Sequence, residues 1–479
     1  MSGWQAGVDV GGTNTDLLFL DPETGRYQVS KVATTTADQS LAVLEGLQTG
    51  GMPVAELEAV VHGTTIATNA VLERKGARCG LITTRGFRDV LELGRRTRPN
   101  NYGMTGSFEP LIDRELRLEV SERLDARGRV VLPLDETEVR SALERLESLG
   151  AEAVVIHFLH AYANPIHEER AAEIAREIWK SGFISTSSEI LREVREFERG
   201  STAAVNAYVQ PILAAYLERI SQRLKDAGFL HQLLVMQGNG GTLTAQAAAR
   251  QPVQTVMSGP AAGAVAAANI GQQAGFENLI ACDMGGTSFD VSVIIGSTPA
   301  LSSEKDLAYG IPVRVPMVDI HTIGAGGGSI ARVDSAGLLR VGPESAGAQP
   351  GPVCYGRGGL QPTVTDANLV LGRIDVAGFA GVGQHPDSRK QAAAAIDETV
   401  GQPLGLNTVD AAAAILAISS NQLASAIRLV SIEKGHDPRD FALFAFGGAG
   451  PLHAVGLARE LGIPRVLVPR FPGITSALG

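Results

Sequence analysis

The chain has 479 residues, and 41 Lys and Arg against 51 Asp and Glu give a formal net charge of −10 at pH 7. This mildly acidic balance argues against a dedicated nucleic-acid-binding protein, which normally carries a basic surplus. With 44% hydrophobic and 19% charged residues, the composition excludes a disordered chain and favours a globular protein of several domains.

Membrane and export segments are not predicted. No uninterrupted apolar run approaches the ~20 residues of a membrane-spanning helix, and Met1–Trp4 leads almost directly into a strand pattern, which leaves no room for a signal peptide. Cys79, Cys282 and Cys354 are far apart, odd in number and without CxxC spacing, as is typical of a reducing compartment. We therefore expect a cytoplasmic protein with neither a membrane nor a nucleic acid as its partner.

The first forty residues predict a hairpin meander. Ala6–Val10, Leu17–Leu20 and Tyr27–Val32 have the apolar pattern of strands, and the first two flank a Gly/Thr/Asn turn at Gly11–Asp16. Asp21–Gly25 is a strong turn signal before the third strand.

Helical and strand patterns then alternate, which predicts a mixed α/β architecture. Asp135 predicts a capped helix start, and Gly150 ends that helix. Val154–Phe158 reads as a buried strand, and Asn164-Pro165 opens the next helix with a cap and a first-turn proline.

A change of pattern near residue 200 marks the expected domain boundary. An alanine-rich helix begins near Ser201 and runs to about Lys225, interrupted or kinked around Pro211. We therefore predict an N-terminal domain over residues 1–200 and a second domain over residues 201–479.

An internal repeat is the main organisational feature. Asp9-Val10-Gly11-Gly12-Thr13-Asn14-Thr15-Asp16 is echoed by Asp283-Met284-Gly285-Gly286-Thr287-Ser288-Phe289-Asp290, with five of eight positions identical. Both copies lie between apolar strands, so the sequence predicts a strand–turn–strand unit that is used twice, in two related domains.

These turns have the chemistry of phosphate clamps. Gly-Gly-Thr lets main-chain N–H groups approach an anion without a Cβ in the way, and a carboxylate at the turn entrance can hold a divalent cation through water or orient a nucleophilic water. A single such turn is better explained as a β-turn without a ligand, whereas two copies favour a bound nucleotide polyphosphate. The candidate binding residues are Gly11, Gly12, Thr13, Asn14, Thr15, Gly285, Gly286, Thr287 and Ser288, and the candidate metal-binding and catalytic carboxylates are Asp9 and Asp283.

A third glycine loop follows the predicted strand Ala442–Phe446, which comes after a long helix over Thr408–Glu433. Gly447, Gly448 and Gly450 lie in this loop, before another helical stretch. Strand–glycine loop–helix is a context for close approach to a ligand, so a contact with the nucleoside is favoured over a turn that needs glycine only for packing.

Two more segments leave alternatives open. Gly326 and Gly327, in a triple-glycine loop after Asp319 and His321, are candidate binding residues, because close packing against nucleotide or substrate is favoured over a close crossing of the two domains. The second segment is His62-Gly63-Thr64-Thr65 with Asn69. It is a candidate for binding substrate or phosphate, and the alternative is that its hydroxyls only cap a helix. His62 is accordingly a candidate acid or base, or a structural histidine.

Other polar groups are equally ambiguous or read as structural. The arginines of residues 85–98 contact an anion or partner, or pair with Asp89 and Glu92 on a solvated face. A lone Cys354 is more often inert than nucleophilic, and His157, His160 and His167 lack the companions of a metal site.

Together these motifs resemble the phosphate and adenosine motifs of the superfamily of actin, heat-shock ATPase chaperones and sugar kinases. More narrowly, the chain resembles the hydantoinase A / 5-oxoprolinase family, which includes the ATP-hydrolysing subunits of acetone and acetophenone carboxylases. The segments that carry this resemblance are residues 7–16, 62–65 with Asn69, 83–98, 195–210, 237–241, 257–263, 283–290, 322–331, 350–359, 363–372 and 446–452.

The resemblance implies a two-lobed, actin-like ATPase of the ribonuclease H-like fold, with ATP and Mg²⁺ (or Mn²⁺) in the cleft. It implies ATP-dependent hydrolysis of a cyclic amide of hydantoin, 5-oxoproline or lactam type, through phosphorylation of the carbonyl oxygen, together with a B-type hydantoinase subunit. The alternatives are the ATPase subunit of a ketone carboxylase, a small-molecule kinase, and a chaperone-like motor. Most relatives continue beyond the point where this sequence stops, so we also expect a C-terminal domain that is absent here and is carried by a separate chain or removed.

Overall fold

In a computed structural model of the chain, residues 3–11, 14–35, 38–100, 102–103, 106, 108–375 and 387–479 are described. They divide into two compact units. The first comprises Met1–Gly259 with Leu301–Met317, and the second comprises Pro260–Ala300 with Val318–Gly479.

The strands of the described residues, in chain order, are β1 (Trp4–Val10), β2 (Asn14–Leu20), β3 (Tyr27–Ala33), β4 (Leu57–Thr64), β5 (Cys79–Thr84), β6 (Arg117–Val120), β7 (Arg123–Leu124), β8 (Val130–Leu132), β9 (Ala153–His157), β10 (Ile184–Thr186), β11 (Leu233–Met236), β12 (Thr242–Thr244), β13 (Leu279–Met284), β14 (Phe289–Ile295), β15 (Thr298–Pro299), β16 (Leu301–Ser302), β17 (Lys305–Ala308), β18 (Ile311–Val313), β19 (Met317–Val318), β20 (Ile320–Ile323), β21 (Ser329–Val333), β22 (Leu339–Ser345), β23 (Ala442–Phe446) and β24 (Arg465–Leu467).

The α-helices are α1 (Gln39–Thr49), α2 (Ile66–Leu72), α3 (Val90–Leu93), α4 (Glu136–Ser148), α5 (Ile166–Ile178), α6 (Ser187–Ile190), α7 (Glu196–Asp226), α8 (Ala245–Arg250), α9 (Ser258–Gln273), α10 (Val364–Val370), α11 (Ser388–Ile396), α12 (Gln402–Leu404), α13 (Thr408–Val430), α14 (Gly450–Leu461) and α15 (Thr475–Leu478).

The first unit is built on a mixed sheet with the strand order β12-β11-β4-β1-β2-β3. The hairpin β1–β2 is antiparallel, with Asp9 opposite Asp16, and β4 runs parallel to β1, with Gly63 opposite Asp9. Inward-facing residues of β1, such as Val8 and Val10, are buried because alternate side chains point to one face of the sheet. The predicted meander is confirmed.

A second sheet of this unit has the order β10-β9-β5-β6, with all neighbouring strands parallel. The helices that alternate with these strands begin where their caps predict. The carboxylate of Asp135 accepts the N–H groups of Thr137 and Glu138 at the start of α4, and the side chain of Asn164 accepts the N–H of Ile166 at the start of α5.

The long helix α7 differs from its prediction. It is continuous over 31 residues, starts before Ser201, and passes through Pro211 without ending. Its apolar residues, including Tyr216 and Leu217, are buried in the core of the first unit. Packing therefore holds a helix that the proline alone would break. The expected boundary near residue 200 falls inside this helix, and the first compact unit continues past it to Gly259 and includes Leu301–Met317.

The second unit repeats the strand arrangement of the first. β13 is antiparallel to β14, with Asp283 opposite Asp290, and parallel to β23. The third strand β20 pairs with β14 as β3 pairs with β2. The duplication therefore extends beyond the two turns to at least four strands of each sheet, and it confirms the predicted α/β fold with a duplicated strand–turn–strand unit.

One helical stretch among the described residues, Thr408–Lys434, is long and apolar enough to cross a membrane by length and composition. Half of its apolar window is buried inside the protein. Since the core helix of a globular protein meets the same criteria, this is weak evidence for a membrane span.

Candidate active site

The turn between β1 and β2 is closed by a main-chain hydrogen bond from Gly11 N to Asn14 O, at 3.0 Å. Thr15 is fully buried, and its hydroxyl pairs with that of Thr34 at 3.0 Å. The Thr34 hydroxyl in turn donates to Gly11 O at 2.9 Å. Thr15 thus supports the turn from inside. Gly12 and Thr13, predicted to bind phosphate, lie outside the described residues.

Asp9 lies at the end of β1, where two glycines leave room for its carboxylate. A Cβ at Gly63 would stand 3.1 Å from Asp9 Oδ1, and one at Gly259 would stand 3.4 Å from it. Desolvation, and secondarily the neighbouring Asp16 carboxylate, raises the pKa of Asp9 to about 7, against a lowering by Lys31. A bound cation would stabilise this carboxylate as an anion.

His62 lies next to Gly63 on β4 but belongs to the core. It is fully buried, and its Nε2 pairs with the hydroxyl of Tyr216 at 2.9 Å. Burial lowers the pKa of His62 to about 4, so the ring is neutral at pH 7. Because neighbouring side chains of a strand point to opposite faces, His62 does not share the face on which Gly63 meets Asp9. The geometry favours the structural role over an acid–base one.

The hydroxyls that follow His62 hold the chain locally. Thr64 Oγ1 accepts the N–H of Ile66 at 3.3 Å, and Thr65 Oγ1 donates to Val10 O at 3.4 Å. Ser258, at the start of α9, donates from Oγ to Thr64 O at 3.0 Å. Ser258 was not singled out from the sequence, although it precedes the glycine that faces Asp9.

The turn between β13 and β14 has the same closing bond, from Gly285 N to Ser288 O at 3.1 Å. Gly286 and Thr287 are exposed, and a Cβ at Gly285 or Gly286 would meet no atom within 4 Å. The backbone of this turn is therefore open to a ligand on one side, as an anion-binding turn requires.

The third glycine loop packs directly on this turn. A Cβ at Gly447, whose φ is +80°, would come within 2.2 Å of Asp283 Oδ1. Ala449 N donates to Met284 O at 2.8 Å, which fixes the loop before α14 begins at Gly450. A Cβ at Gly448 would meet nothing within 4 Å. The structure thus brings Gly447, Gly448 and Gly450 to the second turn.

The loop with Gly326 and Gly327 also reaches the second turn. Gly327 N donates to Gly285 O at 3.0 Å, and Gly328 N donates to Gly286 O at 2.7 Å. The glycines of residues 326–328 therefore let this loop pass close to the candidate phosphate-binding turn of the second unit. Thr365 completes the contact, since its hydroxyl donates to Gly327 O at 2.8 Å.

Several other polar groups have structural partners. Asp319 pairs with Lys434. Within the arginine-rich segment, Arg95 pairs with Glu198 at 2.8 Å and with Glu304 at 2.5 Å. The predicted partners Asp89 and Glu92 pair instead with arginines outside that segment, Arg114 and Arg117.

The remaining candidates are buried. Cys354 is fully buried, and desolvation, followed by the nearby Asp366, raises the pKa of its thiol. His167 Nδ1 lies 2.8 Å from Glu122 Oε2 in the core. Within the part of the chain that the structure describes, no three His, Cys, Asp or Glu side chains form a metal-binding group.

Mg²⁺ is compatible with this donor set. The ion commonly keeps several waters and takes one or two carboxylates together with substrate phosphates. Taken by itself, each glycine turn has one such carboxylate at its entrance, Asp9 in the first unit and Asp283 in the second. The residues present therefore fit a cation that is bound together with phosphate.

The duplicated sheets and glycine turns define an α/β protein in which one strand–turn–strand unit occurs twice. The chain belongs to the hydantoinase/oxoprolinase family. The family model of the hydantoinase/oxoprolinase N-terminal region matches residues 5–179, and the family model Hydantoinase/oxoprolinase matches residues 199–479. The resemblance to this family that the motifs predicted is confirmed, and residues 180–198 separate the two matched regions.

Among curated proteins, caprolactamase subunit alpha of Pseudomonas jessenii is 38% identical over 99% of this chain and 70% of its own length. Acetophenone carboxylase gamma subunit of Aromatoleum aromaticum is 38% identical over 98% of this chain and 67% of its own.

Two solved structures have the same fold. The ATP-dependent caprolactamase from Pseudomonas jessenii matches with a TM-score of 0.86 and 36% identity, over 99% of this chain and 70% of that one. Nucleotide-free acetone carboxylase matches with a TM-score of 0.84 and 32% identity, over 100% of this chain and 70% of that one. The family thus contains ATP-dependent enzymes, several of which are named as subunits of larger assemblies.

Proposed function

We propose that this chain is the ATP-binding subunit of an ATP-dependent cyclic amide hydrolase. The observation that carries the proposal is the match to caprolactamase over nearly the whole chain, in sequence and in fold. Caprolactam is a cyclic amide, and the family name adds hydantoins and 5-oxoproline, which share the same functional group.

The two glycine turns would contact the phosphates of ATP. In the second unit, the exposed turn at Gly286 and Thr287 presents main-chain donors, and Gly447, Gly448 and Gly450 would lie towards the nucleoside. Asp9 and Asp283 would hold Mg²⁺ (or Mn²⁺) through its waters. His62 would maintain the core beside Asp9 rather than exchange protons with the substrate.

ATP supplies a phosphoryl group for a carbonyl that resonance makes unreactive. A bond forms between the amide oxygen and the γ-phosphorus while the bond to the β-phosphate oxygen breaks, and ADP leaves. Water then attacks the carbonyl carbon, and the C–N bond of the ring breaks as the nitrogen takes up a proton, which leaves an acyl phosphate. A second water hydrolyses the acyl phosphate to the carboxylate and phosphate. We propose that a B-type partner subunit takes part in ring opening, and that the assembly is cytoplasmic.

The second candidate is the ATPase subunit of a ketone carboxylase. The matches to acetophenone and acetone carboxylase subunits favour it. In that reaction the phosphoryl acceptor is an enolate or bicarbonate, and a carbon–carbon bond forms afterwards.

ADP release by the purified chain, with its co-purifying partner and Mg²⁺, tests both candidates. The panel contains hydantoins, 5-oxoproline and lactams, followed by acetone and acetophenone with bicarbonate, and Asp283→Asn is the inactive control. Stimulation by a cyclic amide with stoichiometric ring opening supports the first candidate. A requirement for ketone and bicarbonate supports the second, and silence across the panel contradicts both.

A further inference from the structure

The first glycine of each turn has its carbonyl held from outside the hairpin. In the second unit, Gly285 O accepts the N–H of Gly327, and the next carbonyl, Gly286 O, accepts the N–H of Gly328. In the first unit, Gly11 O accepts the hydroxyl of Thr34.

This arrangement decides where the N–H groups of the second turn point. In a planar trans peptide, the C=O of one residue and the N–H of the next point in opposite directions. With Gly285 O and Gly286 O bound to the 326–328 segment, the N–H groups of Gly286 and Thr287 are directed away from it. A Cβ at Gly285 or Gly286 would meet no atom within 4 Å, so the turn has free space beside it.

Close packing reinforces these hydrogen bonds. A Cβ at Gly326 would lie 2.6 Å from both C and O of Gly286 and 2.8 Å from Thr287 N. Gly326 therefore rests flat against the peptide that joins Gly286 to Thr287, and this peptide cannot rotate freely. The 326–328 segment acts as a support beneath the turn.

Thr365 holds the support in place. Gly327 O accepts both the main-chain N–H and the hydroxyl of Thr365, each at 2.8 Å. Thr365 lies in the first turn of α10, where Thr363 and the fully buried Asp366 form a capping box. The capping box fixes the start of α10, and Thr365 links this helix start to Gly327 of the 326–328 segment.

Thr34 occupies the corresponding place in the first unit. It follows β3, the strand that pairs with β2, as the 326–328 segment follows β20, the strand that pairs with β14. The carbonyl of the first turn glycine is therefore bound in both units by the segment that follows the third strand. In the first unit the donor is the Thr34 hydroxyl, and in the second it is the main-chain N–H of Gly327, which Thr365 holds in place.

We propose that Thr34 and Thr365 are positioning residues for nucleotide phosphates. They act through the turn carbonyls: Thr34 holds Gly11 O, and Thr365 holds the segment that binds Gly285 O and Gly286 O, so that the N–H groups of Gly286 and Thr287 face the phosphates. The inference rests on the proposed function, because it takes ATP as the ligand of the turns. It also assigns Gly326 and Gly327 to support beneath the turn, in place of the direct contact that the sequence predicted.

The test uses Thr365→Val and Thr34→Val in the full chain with its co-purifying partner. The affinity for ADP and for a non-hydrolysable ATP analogue is measured by calorimetry, together with KM for ATP, kcat and Tm. Each valine variant loses one hydrogen bond to a turn or its support, so we expect about fivefold weaker nucleotide binding and a matching rise in KM. Thr365→Ser and Thr34→Ser restore the hydroxyl and should bind nearly as the wild type does.

Thr298→Ala is the control, because the Thr298 hydroxyl makes only a long local contact with Gly296 O at 3.5 Å. If a valine variant does not fold, the corresponding alanine variant replaces it. Failure of the wild type to bind nucleotide would overturn the proposed function. Wild-type binding with unchanged affinity in the substituted variants would overturn only this inference, as would an equal loss in Thr298→Ala or no recovery with serine.

Discussion

Gly447 lies so close to Asp283 that no other residue fits there: a Cβ would stand 2.2 Å from Asp283 Oδ1. The same Cβ would also lie 2.6 Å from Met284 O, and the φ of +80° is strained for any residue with a side chain. The third glycine loop therefore packs directly against the Asp283 carboxylate, just before the second turn.

Gly447→Ala should displace the Asp283 carboxylate and abolish ATP turnover, with a loss of stability of about 1 kcal/mol or more from backbone strain. Gly456→Ala, at an exposed position of α14, is the matched control, because its Cβ would meet no atom within 4 Å. ADP release and thermal unfolding of both variants check the prediction. Equal activity of the two would show that this contact does not matter for catalysis.

Asp9→Asn and Asp283→Asn should each abolish ATP turnover while the fold stays intact, because an amide removes the charge that would hold the cation. Circular dichroism tests the fold, and ADP release tests the turnover. Asp410→Asn, at an exposed position near the start of α13, should leave both unchanged. Full activity of either site variant would overturn the two-turn arrangement.

The raised pKa of Asp9 predicts a pH-dependent stability. Its folded-state pKa of about 7 exceeds the unfolded value of 3.8, so between these pH values the folded chain holds a proton that the unfolded chain releases. This contribution to stability is complete below pH 3.8 and is lost as the pH rises through 7. The stability of the wild type relative to Asp9→Asn should therefore fall between pH 3.8 and about pH 7 and then level off. If the Tm of the wild type and of Asp9→Asn changed with pH in the same way, the raised pKa of Asp9 would be contradicted.

Tyr216→Phe should destabilise the first unit by about 1–3 kcal/mol, because it leaves His62 Nε2 buried without its partner. Turnover per folded molecule should be unchanged. Tyr102→Phe, at a position that is 92% exposed, is the control. If Tyr216→Phe lost activity but not stability, His62 would regain a direct role in the reaction.

Asp366→Asn should strongly destabilise the second unit, by about 3 kcal/mol or more. The carboxylate accepts the N–H groups of Val353, Cys354 and Thr363 and the Thr363 hydroxyl. An amide would set its own NH₂ group against one of these donors. Denaturant unfolding measures the loss, and a change below 0.5 kcal/mol, as is typical of a surface substitution, would contradict it.

Features that depend on neighbouring residues were predictable from the sequence. The turn at Gly11 and its copy at Gly285 are short-range patterns, and the strand Ala442–Phe446 has the predicted bounds. The helix caps at Asp135 and Asn164 depend on side chains within a few residues of the first turn.

Features that depend on packing between distant segments were not predictable. Pro211 signals a break, yet the buried face of α7 keeps the helix continuous. Thr34 and Thr365 lie outside the glycine motifs. Their proposed role depends on the pairing of β3 with β2 and of β20 with β14, which the sequence does not reveal. His62 shows the opposite case, since a chemically versatile side chain belongs to the core once Tyr216 is placed beside it.

Every cysteine of the chain is buried, and burial raises the pKa of Cys79, Cys282 and Cys354 alike. Maleimides and other alkylating probes react with accessible thiolates, so the native chain should stay unlabelled under mild conditions. A single new cysteine at an exposed site such as Leu230 or Leu360 would then be the one position to carry a fluorophore or spin label. With a cysteine at each of these two sites, the distance between two labels could be followed during turnover without prior removal of the native thiols.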